Sequence, residues 1–327
     1  MTMGNVLQSR PSKVGLSDID LSPGPFCMSF QFNLERLKAS IERFGLLNPP
    51  YLVKGSSFTV VAGYRRLLAI RELGWADIGC RILPGDLLPL DALLLNFYDN
   101  LTARQFNPIE KGMVLKGLTR YLTREEILSH YMPMLELPSN MHTLKLYLSL
   151  EDLDDVIRVS IAAGRLSMKV LGILGSVSKE DQREINQLFT SLKWSVNLQW
   201  QAALWIMEIA GREGRSVREV IGDERILTMV KNGKMNSPQK VRAIVGELRK
   251  WRFPTITEYE RSFKKGVSDL DLPSKVRVIP PPFFEGVDYK LEIVFREGKE
   301  LRENVERLSR TAGLEEIADF WKTYNRE

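Results

Sequence analysis

Gly63, Arg65 and Arg66 carry the chemistry most plainly written in this chain. They stand where a short β-branched and aromatic run, Phe58-Thr-Val-Val-Ala62, gives way to a helix-forming one, Tyr64 to Leu73. Such a junction suits an anion. Glycine lets the backbone approach a ligand closely, the first helical turn presents unpaired N–H groups, and two guanidiniums match phosphate oxygens. Arginines at a helix start also oppose the helix dipole and are commonly only solvated. Both readings stand on these residues alone.

The elements that must position the loop are legible around it. A strand-like Val14 to Ile19 is followed by a turn at Ser22-Pro-Gly-Pro25 and a helix from Leu34 to Phe44, capped by Asn33 and stopped by Gly45. Tyr51–Lys54 and Phe58–Ala62 read as a hairpin turning at Gly55-Ser-Ser57, Gly74 stops the next helix, and Ile78–Leu83 is a further strand. A helical run, Leu87 to Arg104, leads out of this small α/β unit.

Beyond it the chain is helical. Asn107-Pro-Ile-Glu110 and Thr123-Arg-Glu-Glu126 fit capping boxes, with Pro108 at the first helical position of the former. A helix from Arg124 to Tyr131, a connection containing Pro133 and Pro138, and a helix from Ser139 to Leu148 make a helix-turn-helix candidate whose connection is longer than the usual tight glycine turn. Its second helix offers Asn140, His142, Thr143 and Lys145 but no arginine, the commonest reader of guanine. Gly164 reads as a stop, and Ser167 and Ser178 as caps of short helices reaching Leu192. Trp194, Trp200 and Trp205 read as core, with base stacking the lesser alternative. Near the C-terminus, Tyr289–Phe295 alternates like a strand and a helix runs from Leu301 to Arg310.

Composition excludes several classes. At 327 residues, 44% hydrophobic and 27% charged, the chain is an ordinary folded protein of two or three domains. The apolar run Trp194 to Met207 is only 14 residues long and is broken by Asn197, Gln199 and Gln201, too short to cross a bilayer. The N-terminus lacks the apolar core of a secretory signal. Cys27 and Cys80 are far apart, which suits a reducing cytoplasm. His130 and His142 are the only histidines, and no HExxH, Cys/His cluster, GxSxG elbow or Walker A run occurs.

Net charge is +5 and unevenly spread. Residues 121–211 carry 8 Lys/Arg against 11 Asp/Glu, whereas 212–265 carry 14 against 7. The second segment, with Arg242, Arg249 and Arg252, is the expected footprint of a nucleic acid, or else a solvated helical surface.

Several of these segments, taken in order, resemble the ParB family. Asn48-Pro-Pro-Tyr-Leu-Val-Lys54 stands for its "QPIVV" strand, Val61-Ala-Gly-Tyr-Arg-Arg66 for its "VAGERR" loop, and Asp99-Asn-Leu-Thr-Ala-Arg-Gln-Phe-Asn-Pro-Ile-Glu110 for its "ENLQRxDLxPIE" segment. Leu144 to Leu171 is similar to the stretch following the family's helix-turn-helix. The resemblance covers roughly the first 190 residues and does not extend to the family's usual dimerisation segment.

The resemblance implies an α+β protein. It gives a ParB/sulfiredoxin-like α/β nucleotide-binding domain over 1–106 and a helix-turn-helix-like DNA-binding domain over 107–192, while charge and residue pattern beyond its reach give a basic helical segment 193–265 and a small α/β module with a candidate dimerisation role 266–327. It implies CTP with Mg2+ as cofactor, bound through Gly63, Tyr64, Arg65, Arg66 and Asn100, with Asp99 and Asn100 toward the metal. Asn140, His142, Thr143 and Lys145 would read DNA, and the charge asymmetry of residues 212–265 puts Arg242, Arg249 and Arg252 on its phosphates. DNA, a ParA-type ATPase and a second copy of the chain are the implied partners, in the cytoplasm on a nucleoid or plasmid. Tyr64 replaces the loop glutamate, Asp99 is one methylene shorter than the motif's glutamate, and Ala103 takes the motif's arginine position with Arg104 displaced by one. Asn48 replaces the usual glutamine, and the "QPR" after the first strand is missing. These departures argue for weak CTP hydrolysis at most, with no catalytic residue assigned. The competing expectation is a transcriptional regulator or protein-interaction module that keeps the fold without nucleotide turnover. A sulfiredoxin-like reductase is not expected, because the loop holds no cysteine, nor is a two-metal nuclease, for want of an acidic cluster.

Overall fold

The computed structural model describes residues 9–286, 288–311 and 313. It divides into two compact units, Met1–Ala203 and Leu204–Glu327. The architecture is α+β.

In the first unit, five strands form one sheet: β1 (Arg10–Gly15), β2 (Ile19–Asp20), β3 (Tyr51–Lys54), β4 (Phe58–Ala62) and β5 (Asp77–Leu83), in the order β1-β5-β3-β4-β2. β1 runs antiparallel to β5 and β3 antiparallel to β4, whereas β3 is parallel to β5 and β2 to β4. The single strand expected over Val14–Ile19 is therefore two strands on opposite edges, joined by a 3₁₀ turn over Leu16–Asp18. Val14 and Ile19 are both buried. Their odd separation cannot belong to one period-2 strand, in which residues five apart face opposite ways.

Helices α1 (Glu35–Phe44) and α2 (Tyr64–Glu72) lie where their caps put them. The Asn33 Oδ1 accepts from the Glu35 N–H at 2.7 Å, and Gly45 and Gly74 end the two helices with φ of 72° and 73°. Ile41 of α1 and Leu67, Ala69 and Ile70 of α2 join Leu52, Val60 and Ile78 of the sheet in one core. The third helix, α3, spans Pro89–Leu101, shorter than the expected Leu87–Arg104, with Pro89 pre-set for the first turn.

Helix α4 (Pro108–Leu118) opens the helical half of this unit, and both predicted capping boxes are formed, at Asn107/Glu110 and Thr123/Glu126. A Cβ on Gly112 would stand 2.7 Å from the Tyr147 carbonyl, so that glycine sets how closely α4 packs on the Met141–Leu148 helix. Leu115, Leu118, Ile127, Met132 and Leu144 are buried in the shared core. The helix starting at Arg124 does not stop at Tyr131. It passes through a π turn, Ile127–Tyr131, and continues over Met132–Met134 with Pro133 inside it. A proline lacks the N–H and clashes with the i−4 carbonyl of a regular ladder, and the wider turn precedes it where that ladder would fail. The second helix starts at Met141, two residues later than expected, because Asn140 is its cap. Between the two, Glu136 takes φ of 57°, the conformation a glycine usually supplies in such a turn. Helix Lys179–Ser191 closes near Leu192 as expected. Trp194 stacks edge-on to Phe189 and donates to the Leu188 carbonyl at 3.2 Å, whereas Trp200 is exposed and not core.

The helix Val196–Glu213 includes the boundary between the units. In the second unit, Trp205 is buried and meets Phe253 edge-on. Helices Ser237–Arg252 and Pro254–Asp269 are the main elements, and β6 (Val276–Ile279) pairs antiparallel with β7 (Lys290–Ile293), followed by a helix over Gly298–Ser309. Trp251 is buried, with the Arg225 guanidinium 3.5 Å from its ring centre and its Nε1 donating to Glu213. The Asp223 carboxylate accepts from Arg225 and Arg215, and the Arg225 hydrogen bond above all holds its pKa far below the ordinary carboxylate range. No helix among the described residues is long and apolar enough to cross a membrane.

Candidate functional site

Gly63 ends β4 and caps α2 with φ of 95°. A Cβ there would fall 2.8 Å from the Pro50 Cβ and 3.1 Å from the Arg66 Nε. The glycine is thus required by its backbone angle and by the proline packed on it, as well as by any approaching ligand. The turn it makes aims Arg65 and Arg66 from the first turn of α2. Tyr64 packs edge-on to Phe32, and burial raises its phenol pKa.

Arg66 donates to the Asn48 carbonyl at 2.7 Å and pairs with Asp99 on α3. Arg65 lies over the Phe32 ring, donates to the Ser29 Oγ at 3.2 Å and pairs with Glu110. Burial, and then the nearby charge of Arg104, pull the Arg65 pKa below its ordinary value, and Glu110 opposes this. Both loop arginines, each expected to hold phosphate, therefore have a carboxylate partner.

Asn100 is one residue from Asp99 and faces a different network. Its Nδ2 donates to the Asn96 Oδ1 at 2.7 Å, and its Oδ1 accepts from the Arg104 Nε at 2.8 Å. Arg104 follows α3 in a non-helical connection, and although displaced by one from the motif position it reaches both Asn100 and Glu110. The two motifs, far apart in sequence, thus meet beside the N-terminal turn of α2.

The residue that joins them escaped the reading of the sequence. Glu110 serves as the third helical residue of a capping box, yet its side chain is 1% exposed and its two oxygens accept four hydrogen bonds. Oε1 takes the Phe30 N–H and Arg65, and Oε2 takes the Asn107 N–H and Arg104. That saturates a carboxylate. Its signals were the capping box and its place at the end of the Asp99–Glu110 segment, and neither points to Arg65, 45 positions away. Arg65 and Arg104 share one carboxylate and Arg66 has Asp99 to itself, so these five groups leave one positive charge uncompensated. An anion placed there gains a charge-assisted interaction in a partly desolvated setting.

Magnesium finds less. Among the described residues no three His, Cys, Asp or Glu side chains group to hold a metal ion. The Asn100 oxygen is taken by Arg104, which leaves Asp99 as the carboxylate facing the loop. A single carboxylate fits Mg2+ only when ligand phosphates complete its oxygen shell.

The residues expected on DNA fall into two sets in separate units. Asn140, His142 and Lys145 are exposed around the start of the Met141–Leu148 helix, Thr143 is half-buried, and the Asn140 Oδ1 accepts from the Thr143 N–H at 2.8 Å as a cap. In the second unit Arg249 makes a two-pronged pair with Glu260 at 2.6 and 2.7 Å, and Arg252 pairs with Glu208 at 2.6 Å, while Arg242 is exposed.

The fold and this arginine network define a small α/β unit with a glycine–arginine turn at a helix start, continuous with a helical segment that holds the helix-turn-helix candidate. No family model matches the chain. It is 28% identical over 170 residues to the probable chromosome-partitioning protein ParB of Campylobacter jejuni, covering 50% of this chain and 58% of that protein. It is 39% identical over 87 residues to the probable plasmid-partitioning protein ParB of Thermus thermophilus, covering 26% of this chain and 29% of that protein. The chain is therefore related in sequence to ParB-type partitioning proteins, over less than two thirds of their length. Solved structures similar to it include the C-terminally truncated ParB of Caulobacter crescentus complexed to the centromeric parS site, with a TM-score of 0.34 and 16% identity over 59% of this chain and 98% of that one. The same protein complexed with CTP-γ-S gives a TM-score of 0.26 and 18% identity over 55% and 98%.

Proposed function

We propose that this chain is a ParB-like DNA-binding protein of the partition type, whose α/β domain takes up CTP at the turn between β4 and α2. The observation that carries the reading is the convergence of Gly63, Arg65 and Arg66 with Asp99, Asn100, Arg104 and Glu110 beside the start of one helix, with one positive charge to spare. The sequence relationship to chromosome- and plasmid-partitioning ParB proteins supports the partition role, and CTP and DNA are what the resemblance to the ParB family implies. Arg65 and Arg66 hold the phosphates. Asp99 faces a magnesium ion carried by the nucleotide, and Asn100, held by Arg104, contacts the nucleotide. The exposed residues Asn140, His142 and Lys145 contact base edges, and the basic helices of the second unit contact phosphates, which positions the protein without specifying sequence. A second copy of the chain and a ParA-type ATPase are the protein partners this reading entails.

Calorimetric titration with CTP and Mg2+, with and without DNA, tests it. The wild type binds CTP, DNA changes the affinity, and Arg66→Ala weakens binding by about 1.5–3 kcal/mol, the worth of a charged hydrogen bond. Absence of CTP binding by the wild type rejects the nucleotide. One observation favours a second reading, a protein-interaction module without nucleotide: both loop arginines are already paired within the chain. On that reading neither CTP binding nor its linkage to DNA is found.

A further inference from the structure

We propose that Glu110 is the positioning residue of this site, holding Arg65 and, through Arg104, Asn100 in register for a polyphosphate. The inference rests on the anion-site reading above for its ligand, but its geometry is independent of which nucleotide binds. Glu110 is on α4, Arg65 on α2 and Asn100 on α3, so one buried carboxylate sets the relation of three helices. It is itself immobilised by the Phe30 and Asn107 N–H groups at 3.0 and 3.1 Å. Arg104 is fixed from its other side by the Met28 carbonyl at 2.9 Å and lies over the Phe106 ring. Without the carboxylate, Arg65 and Arg104 are two like charges in a partly buried pocket, and they separate toward solvent.

Charge and position predict opposite signs here. Glu110→Gln raises the net charge of the cluster from one positive to two, so a purely Coulombic role tightens binding of any anion. A positioning role weakens it, because the donors lose their geometry. Glu110→Asp keeps the charge but cannot span both arginines, and a Coulombic role leaves it unchanged.

The test measures binding of CTP with Mg2+, and of inorganic tripolyphosphate, to wild type, Glu110→Gln, Glu110→Asp, Arg65→Gln and the Glu110→Gln/Arg65→Gln double variant, each checked for folding by circular dichroism. Glu110→Gln lowers affinity about tenfold and Glu110→Asp severalfold, while in the Arg65→Gln background Glu110→Gln costs clearly less than it does alone, since part of its effect runs through Arg65 and only the part through Arg104 remains. A merely structural role gives additive losses, and that result, or tighter binding by Glu110→Gln, overturns the proposal. A second measurement needs no ligand: modification by phenylglyoxal followed by peptide mapping. Arg65 and Arg104 become at least fivefold more reactive in Glu110→Gln and in Glu110→Asp, with exposed Arg36 unchanged as the reference. Unchanged reactivity of Arg65 overturns the proposal even if the wild type binds CTP. Raised reactivity in a wild type that binds no polyphosphate upholds the positioning and rejects only the nucleotide.

Discussion

Two sets of arginines in this molecule were expected to meet an anionic partner, and each contains carboxylate pairs, those of Arg65, Arg66 and Arg104 in one and of Arg249 and Arg252 in the other, but the pairs differ in burial. Around the β4–α2 turn the shared carboxylate of Glu110 is 1% exposed and its arginines are mostly covered. In the basic second unit, Arg249 and Glu260 are 42% and 32% exposed, and Arg252 and Glu208 are 32% and 36% exposed. The difference decides what each pair is for. A buried pair is costly to break because it strands a charge, and so it fixes geometry. An exposed pair in water is nearly neutral energetically and can be exchanged for a phosphate at little loss.

The largest expected effect follows directly. Glu110→Ala destabilises the protein by about 3–5 kcal/mol, the cost of removing one partner from a buried ion pair, measured by urea unfolding. A change no greater than that of a surface pair would erase the contrast. Next comes Gly63→Ala, which forces an L-residue into a left-handed backbone angle and a Cβ onto Pro50. We expect a loss of about 2–4 kcal/mol from the two costs together, and unaltered stability would show that the turn relaxes freely.

The smallest effect belongs to the exposed side. Arg249→Gln and Arg252→Gln each change stability by about 0.2–1 kcal/mol or less. Changed together with Arg242, they flatten the salt dependence of DNA binding for every sequence, while changing Asn140 and Lys145 removes discrimination and leaves non-specific binding nearly intact. Identical behaviour of the two sets, read by salt titration of labelled DNA, would break the assignment.

What could be read from the sequence was what acts over a few residues. Asn33, Asn107 and Thr123 announce their helices because a cap and its partner are within one turn. The hairpin at Gly55-Ser-Ser57 and the stops at Gly45 and Gly74 are local in the same way. The site was half legible: its loop and second motif were found, but their junction was not, since Glu110 meets Arg65 only after the sheet has brought α2 beside α4. Pro133 was misplaced for a related reason. Proline predicts a helix end, and only the surrounding packing of Ile127 and Met132 shows that a π turn carries the helix past it. Glu136 gave no sign of its left-handed angle, because glutamate rarely adopts one.

The Glu110 contacts also bear on how this protein can be taken apart. A fragment ending at residue 106, just before the Asn107 cap, would keep every strand of the sheet and all of α1, α2 and α3, yet leave Arg65 and Arg104 facing each other without their carboxylate. The α/β part is therefore not a self-sufficient piece at that cut. Its smallest autonomous version borrows at least the opening turns of α4, so an insertion or recombination joint between residues 104 and 110 would damage both halves at once.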